Sequence, residues 1–279
     1  MKNVLTRSLT GMVYIGLIIG AILGGNQWMW ALCSLFAILG INEFNSISDK
    51  RELSRILNVI DILASLSFIV GTYFVWTLGI LGGTFCFVIF ILSLTVRSIA
   101  ALYIRNGNYL ADLAHSFMGQ LYVTLPMALL LSAYMMSSVS HAMVLLMFVM
   151  IWLNDTGAFC VGSLIGKHKL FERISPKKSW EGFFGGLAFA VIAGLVAYLW
   201  FGTSKFSQYS AVSLMIFGAL VSVFATWGDL VESQIKRTLG IKDSGKLLPG
   251  HGGILDRIDS LLMVDPLTFI YMVIVGLLM

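Results

Sequence analysis

Nine apolar runs, each near the length needed to cross a bilayer as a helix, occupy most of this 279-residue chain. They cover approximately residues 8–25, 27–45, 56–75, 78–96, 116–136, 141–163, 182–201, 209–231 and 260–279. A transmembrane helix needs about 20 predominantly apolar residues, and in hydrocarbon it must satisfy its backbone polar groups internally. A soluble globular domain is excluded, because such a domain carries about a quarter charged residues in its polar shell. Here charged residues make up 11% and hydrophobic residues 58%, with only four prolines. The expected fold is an all-α integral membrane protein, a polytopic bundle of about nine transmembrane helices.

Lys2 and Arg7 ahead of the first run resemble the start of a secretory signal. The run continues without a small-residue cleavage pattern and another follows at once, so it reads as a retained helix. Cys33, Cys86 and Cys160 all lie inside apolar runs, without disulfide or metal spacing. Basic residues are retained on the cytoplasmic face. With a cytoplasmic N-terminus, that face receives every Lys and Arg of the eighteen except Lys205. An odd number of spans then places the C-terminus on the opposite side. Both large polar loops, 164–181 and 232–259, are expected in the cytoplasm. The expected organisation is helices one to five (1–140), for packing, lipid enclosure and dimer contacts, followed by catalytic helices six to nine (141–279).

Polar residues concentrate at a few places. Residues 233–259 bring together Lys236, Arg237, Lys242, Lys246, Arg257, Asp243, Asp256, Asp259 and His251. Gly250, Gly252 and Gly253 around His251 allow close backbone approach to a ligand, which a passive linker does not need. Asn154 and Asp155 fall inside an apolar helix, where an unpaired carboxylate costs several kcal/mol. Lys177, Lys178 and Ser179 precede the seventh run, and free N–H groups at a helix start suit phosphate oxygens. Glu43 and Asp61, near helix ends, read as charges reaching the interface, Glu43 with Lys50 or Arg51 as partner. The stretch from Arg97 to His115 reads as a polar connector without a chemical motif.

Asp229, Glu232 and Ser233 share a helix face by their spacing, as do Asp256 and Asp259. Two helix ends joined by one loop can gather Asp229, Asp256 and Asp259, and three carboxylates at a low-dielectric boundary call for a cation. Oxygen-only ligands favour a hard ion, Mg²⁺. Mg²⁺ with lysines and glycine turns beside a bilayer points to phosphoryl or nucleotidyl transfer. Neither a Walker P-loop nor a Ser/His/Asp arrangement is present. Two other readings share some features: another Mg²⁺-dependent lipid-phosphate transferase or kinase, and a cation transporter using Asp155 and Asp229. Paired inverted repeats, expected of many transporters, are not evident.

Ser233-x-Ile235-Lys236-Arg237, four residues, Lys242-Asp243-x-Gly245, then Leu248-Pro249-x-His251-Gly252-Gly253-Ile254-x-Asp256-Arg257-Ile258-Asp259 resembles the phosphatidate cytidylyltransferase signature without departure. Asn154-Asp155-Thr156 and Ser175-Pro176-Lys177-Lys178-Ser179-Trp180-Glu181-Gly182 also resemble that family, and the N-terminal half does so only in hydropathy and Glu43. The resemblance implies transfer from CTP to phosphatidic acid, giving CDP-diacylglycerol and pyrophosphate in phospholipid biosynthesis. It implies Mg²⁺, with K⁺ as a second cation, and a homodimer among membrane lipids of the cytoplasmic membrane, with no nucleic acid as partner. The implied metal ligands are Asp229, Asp256, Asp259 and Asp243, with Asn154, Asp155 and Glu232 behind them. Lys236, Arg237 and Arg257 neutralise charge during transfer, while His251 either hydrogen-bonds a phosphate or protonates pyrophosphate. Substrate binding falls to Lys177, Lys178, Ser179, Ser233, Lys242, Lys246, Gly252 and Gly253.

Overall fold

The computed structural model describes residues 2–48, 54–103, 108–245 and 252–277. Among these, the helices are α1 (Lys2–Gly24), α2 (Asn26–Ser48), α3 (Ser54–Leu78), α4 (Ile80–Ala101), α5 (Tyr109–Gly119), α6 (Leu125–Met135), α7 (Ser138–Ile165), α8 (Trp180–Phe201), α9 (Ala211–Thr238) and α10 (Leu255–Leu277). A π-helical turn, Gln120–Thr124, joins α5 to α6, and strands β1 (Lys169–Phe171) and β2 (Ser175–Ser179) lie between α7 and α8. Eight of the resulting segments are long and apolar enough to cross a membrane, and α1 contributes the shorter apolar helix Leu9–Gly24. These account for all nine runs. The fifth begins earlier than its hydropathy suggests, at Tyr109, because Asn108 caps α5 by accepting from the Ala111 N–H at 3.2 Å.

The chain forms two compact units, Met1–Met135 with Asp243–Arg257, and Met136–Lys242 with Ile258–Met279. In the first, the turn between α1 and α2 is made at Gly25 and that between α3 and α4 at Gly79, both with positive φ. That backbone conformation favours glycine and lets an apolar helix reverse within one residue. Near the opposite ends of α3 and α4, the described residues of the connector expected from Arg97 to His115 are mostly helical, and Arg97 is buried on α4. Its guanidinium donates bidentately to Asp112 at 2.5 and 2.9 Å, and its Nε stands 3.5 Å from Asp61.

Asp61 is therefore a buried partner rather than an interfacial charge. Its carboxylate also accepts from Ser116 Oγ at 2.5 Å and Asn45 Nδ2 at 3.1 Å. Gln120 donates to the Asp61 carbonyl at 3.0 Å, and Thr124 donates to Ser65 Oγ at 2.7 Å. These bonds fasten the π-helical turn to α3. Pro126, just beyond, cannot donate a backbone hydrogen bond, which accounts for a local change in helical winding.

The second unit is built on small residues. The buried positions of α8 are Gly182, Gly185, Gly186, Ala190, Ala193, Gly194 and Ala197. Small side chains let helices approach closely where lipid supplies no hydrophobic drive between them. At Gly186 a Cβ would stand 2.5 Å from Asn154 Oδ1 on α7. The expected 164–181 loop contains an antiparallel hairpin, with Lys169 opposite Ser179 and Phe171 opposite Ser175. Leu170 and Ile174 from the hairpin region bury themselves with Leu230 of α9, and Phe183 packs against them.

Breaking a buried ion pair from one side costs about 3–5 kcal/mol, because the remaining charge is left uncompensated. Arg97→Leu is therefore expected to lower the thermal unfolding midpoint in detergent strongly. Adding Asp112→Asn and Asp61→Asn to that variant should recover much of the loss, and a midpoint unchanged by Arg97→Leu would contradict this account of the network.

Candidate active site

The signature residues are distributed between the two units, and each unit contains its own polar constellation. In the second, Asp229 lies near the C-terminal end of α9, and Lys178 Nζ lies 2.6 Å from its Oδ2. The Lys178 ammonium also donates to the Thr226 carbonyl at 3.4 Å, and Ser233 donates to Asp229 Oδ1 at 3.1 Å. One turn further along α9, Glu232 is buried and paired with Lys236. Asp259 of α10 is partly buried and close enough to Asp229, Glu232 and Asp155 to feel their charges. Helices α9 and α10 approach closely here: a Cβ at Gly228 would stand 2.7 Å from the Asp259 carbonyl, and Ser260 donates to the Ala225 carbonyl at 3.1 Å.

The remaining residues of this unit divide between polar anchoring and open surface. Asn154 is buried and accepts from Ser222 at 2.6 Å, tying α7 to α9, and its amide reaches Asp155 at 3.4 Å. Asp155 itself is exposed. Ser179 is the N-cap of α8, its hydroxyl accepting from the Gly182 N–H at 3.1 Å. Lys177 is exposed on β2 and Lys242 is exposed beyond α9, so both can meet an anion from water. Arg237 is more committed: it donates to the carbonyls of Ile174 at 3.4 Å and Ile241 at 3.1 Å. It thereby joins the hairpin region to the end of α9. Glu181 performs a comparable task, accepting from the Lys167 and His168 N–H groups and pairing with His168 Nδ1 at 2.6 Å.

In the first unit the described signature residues gather around two carboxylates. Asp256 Oδ2 accepts from the Ser244 N–H at 3.0 Å and the Gly253 N–H at 2.8 Å. Glu43 lies deeper, accepting from the Ser244 hydroxyl, from Ile254 N–H at 2.8 Å and from Leu255 N–H at 3.2 Å. It therefore caps the start of α10; Lys50 and Arg51, the partners expected for it, lie outside the described residues. Gly252 has positive φ, and any side chain at Gly253 would overlap the Glu43 carboxylate and Ser244 hydroxyl. Asp243 and Arg257 are exposed, and the Arg257 carbonyl accepts from Tyr14 at 3.1 Å. Lys246 and His251 lie outside the described residues.

Among the described residues no three His, Cys, Asp or Glu side chains are arranged to hold a metal ion. Within the first unit Asp256 is engaged by Ser244 and Gly253, and within the second Asp229 is engaged by Lys178 and Ser233. The donor chemistry around Asp259 nevertheless fits a hard cation, with carboxylates of like charge and oxygen as the only donor atom. Reading the sequence missed Ser244, and no local signal links it to Glu43.

The sequence model of the cytidylyltransferase family matches residues 5–275. A protein of Staphylococcus epidermidis named phosphatidate cytidylyltransferase is 32% identical over 275 residues, covering 96% of this chain and 98% of the relative. One of Staphylococcus haemolyticus with the same name is 33% identical, with 96% and 98% covered. A third, from Staphylococcus aureus, is 46% identical over 130 residues, covering 47% of this chain and 48% of its own length. With the signature unbroken and the match running through nearly the whole chain, this protein belongs to the cytidylyltransferase family.

Proposed function

We propose that the protein is a phosphatidate cytidylyltransferase, which joins CTP and phosphatidic acid to form CDP-diacylglycerol and pyrophosphate. The observation that carries this reading is the unbroken signature from Ser233 to Asp259 within a chain matched to the family from residue 5 to 275. In the reaction, a phosphate oxygen of phosphatidate attacks the α-phosphorus of CTP. A new P–O bond forms there, the bond to the β-phosphate bridge oxygen breaks, and pyrophosphate leaves with that electron pair. Phosphatidate is already an oxyanion near neutral pH, so the main obstacle is repulsion among phosphates rather than lack of a strong base.

The protein's own groups address that charge. Lys178, held by Asp229 at 2.6 Å, is placed to exchange a carboxylate for a phosphate oxygen, and exposed Lys177 and Lys242 can receive the triphosphate. Asp229 and Asp259 would hold Mg²⁺, with Asp256 and Asp243 as the further expected ligands and K⁺ as the second cation. Mg²⁺ bound there supplies neutralisation of the reacting phosphates. Arg257, Lys236, Lys246 and His251 complete the proposed cationic set, while Arg237 acts through its bonds to the Ile174 and Ile241 carbonyls. The basic-residue distribution supports a cytoplasmic N-terminus and a site open to the cytoplasm, where CTP is dissolved while acyl chains stay in lipid. The working form is a homodimer in the cell membrane.

Purified protein given CTP labelled at the α-phosphate should move label into a chloroform-soluble product only when phosphatidic acid is present. EDTA should stop transfer and excess Mg²⁺ should restore it; label that never enters lipid, with folded protein, would contradict the proposed reaction. Asp259→Asn should lower kcat by about a thousandfold or more, as expected for loss of transition-state charge stabilisation. Near-normal turnover in that variant would remove Asp259 from the reaction.

A further inference from the structure

We infer that Glu43, on the second helix, is a positioning residue for the transfer reaction, setting the place of the signature segment that carries Asp256 and Arg257. This inference rests on the proposed cytidylyltransferase activity. Glu43 is 6% exposed, and both carboxylate oxygens are engaged by the signature: Oε1 by the Ser244 hydroxyl and Leu255 N–H, Oε2 by Ile254 N–H. Three donors on one carboxylate define its position far more closely than a solvent-facing charge would.

Two of those donors are backbone N–H groups at the start of α10, where a negative charge is favoured by the helix dipole and by otherwise unsatisfied donors. Asp256 is therefore carried by a helical turn whose entrance is bonded to Glu43. The same carboxylate shapes the preceding glycines, since a Cβ at Gly245 would stand 2.9 Å from Glu43 Cδ and any side chain at Gly253 would collide with it. Ser244 connects the two carboxylates, its hydroxyl bonding Glu43 and its N–H bonding Asp256.

Glu43 is itself held in place. Its neighbour Phe44 stacks on His115 of α5, with ring centroids 4.5 Å apart. Asn45 donates to Asn58 at 2.9 Å and to Asp61 at 3.1 Å. Asp61 belongs to the buried Arg97–Asp112 network, so the end of α2 is fixed to α3, α4 and α5 through ionic and polar bonds. This gives the N-terminal helices a task in catalysis beyond enclosing lipid: they fix the carboxylate that fixes the signature.

Glu43→Gln presents an amide N–H₂ to groups that donate, while changing volume little. Its kcat should fall by about 10–100-fold, the range of one or two charge-assisted hydrogen bonds, while KM for CTP changes by less than about threefold. Hydrogen exchange at the Ile254 and Leu255 amides should accelerate in the same variant, a readout independent of turnover. Ser244→Ala, which removes one donor and keeps the carboxylate, should move kcat and exchange in the same direction by smaller factors, and Glu43→Asp should recover part of the lost kcat. The inference is overturned if folded Glu43→Gln keeps wild-type kcat and amide protection, or if activity falls only in proportion to folded protein. Should Glu43→Gln not fold, unchanged kcat and exchange in Ser244→Ala overturn it equally. Wild-type protein that transfers no label defeats the cytidylyltransferase reading, whereas the exchange comparison still decides whether Glu43 anchors the segment.

Discussion

The bond between a buried carboxylate and the opening turn of a helix is the constraint on which the signature depends. Glu43 accepts from Ile254 and Leu255, and Ser244 closes the arrangement from the other side. Without a buried acceptor, these first N–H groups of α10 would have to find water or another partner. With it, the helix begins at a defined residue, and the orientation of Asp256 on its first turn follows. The glycines of the signature gain a structural meaning as well: Gly253 is small because Glu43 occupies the space, and Gly252 turns the chain with positive φ.

The second unit meets a different requirement, that of bringing helices together in a medium that does not drive them together. The small-residue face of α8 lets backbones meet, and Asn154 with Ser222 adds a buried polar link between α7 and α9. Above this packing, the hairpin presents Lys177 and Lys178, while Arg237 bonds the adjoining Ile174 carbonyl. The basic residues of this unit thus differ in their surroundings: Lys177 is exposed, Lys178 pairs with Asp229, and Arg237 bonds backbone carbonyls.

Features encoded locally could be read directly from the sequence. Hydropathy located the spans because each must satisfy its backbone internally, and Gly25 and Gly79 marked the tight turns through their conformational freedom. Asp229, Asp256 and Asp259 stood out as candidates because charge is rare in such a chain. Long-range pairing left no comparable trace. Arg97 looked like a connector cation, yet its partners are Asp61 and Asp112, and nothing near Glu43 in the sequence pointed to its bonds with Ser244, Ile254 and Leu255. Arg237, read as a cation that neutralises charge during transfer, also donates to two backbone carbonyls, a local geometry that residue type does not carry.

The long separation between Glu43 and its donors also has a consequence for biosynthesis. The carboxylate emerges 201 residues ahead of Ser244 and 211 ahead of Ile254. As the ribosome makes the chain from its N-terminus, the early helices enter the bilayer before this acid's final partners exist. The translocating chain must therefore keep Glu43 hydrated or temporarily paired until the last span arrives. The residues from Ser244 to Leu255 thus supply the last partners of a helix made much earlier, so a chain truncated before Ser244 would lack the groups that make Glu43 a settled part of it.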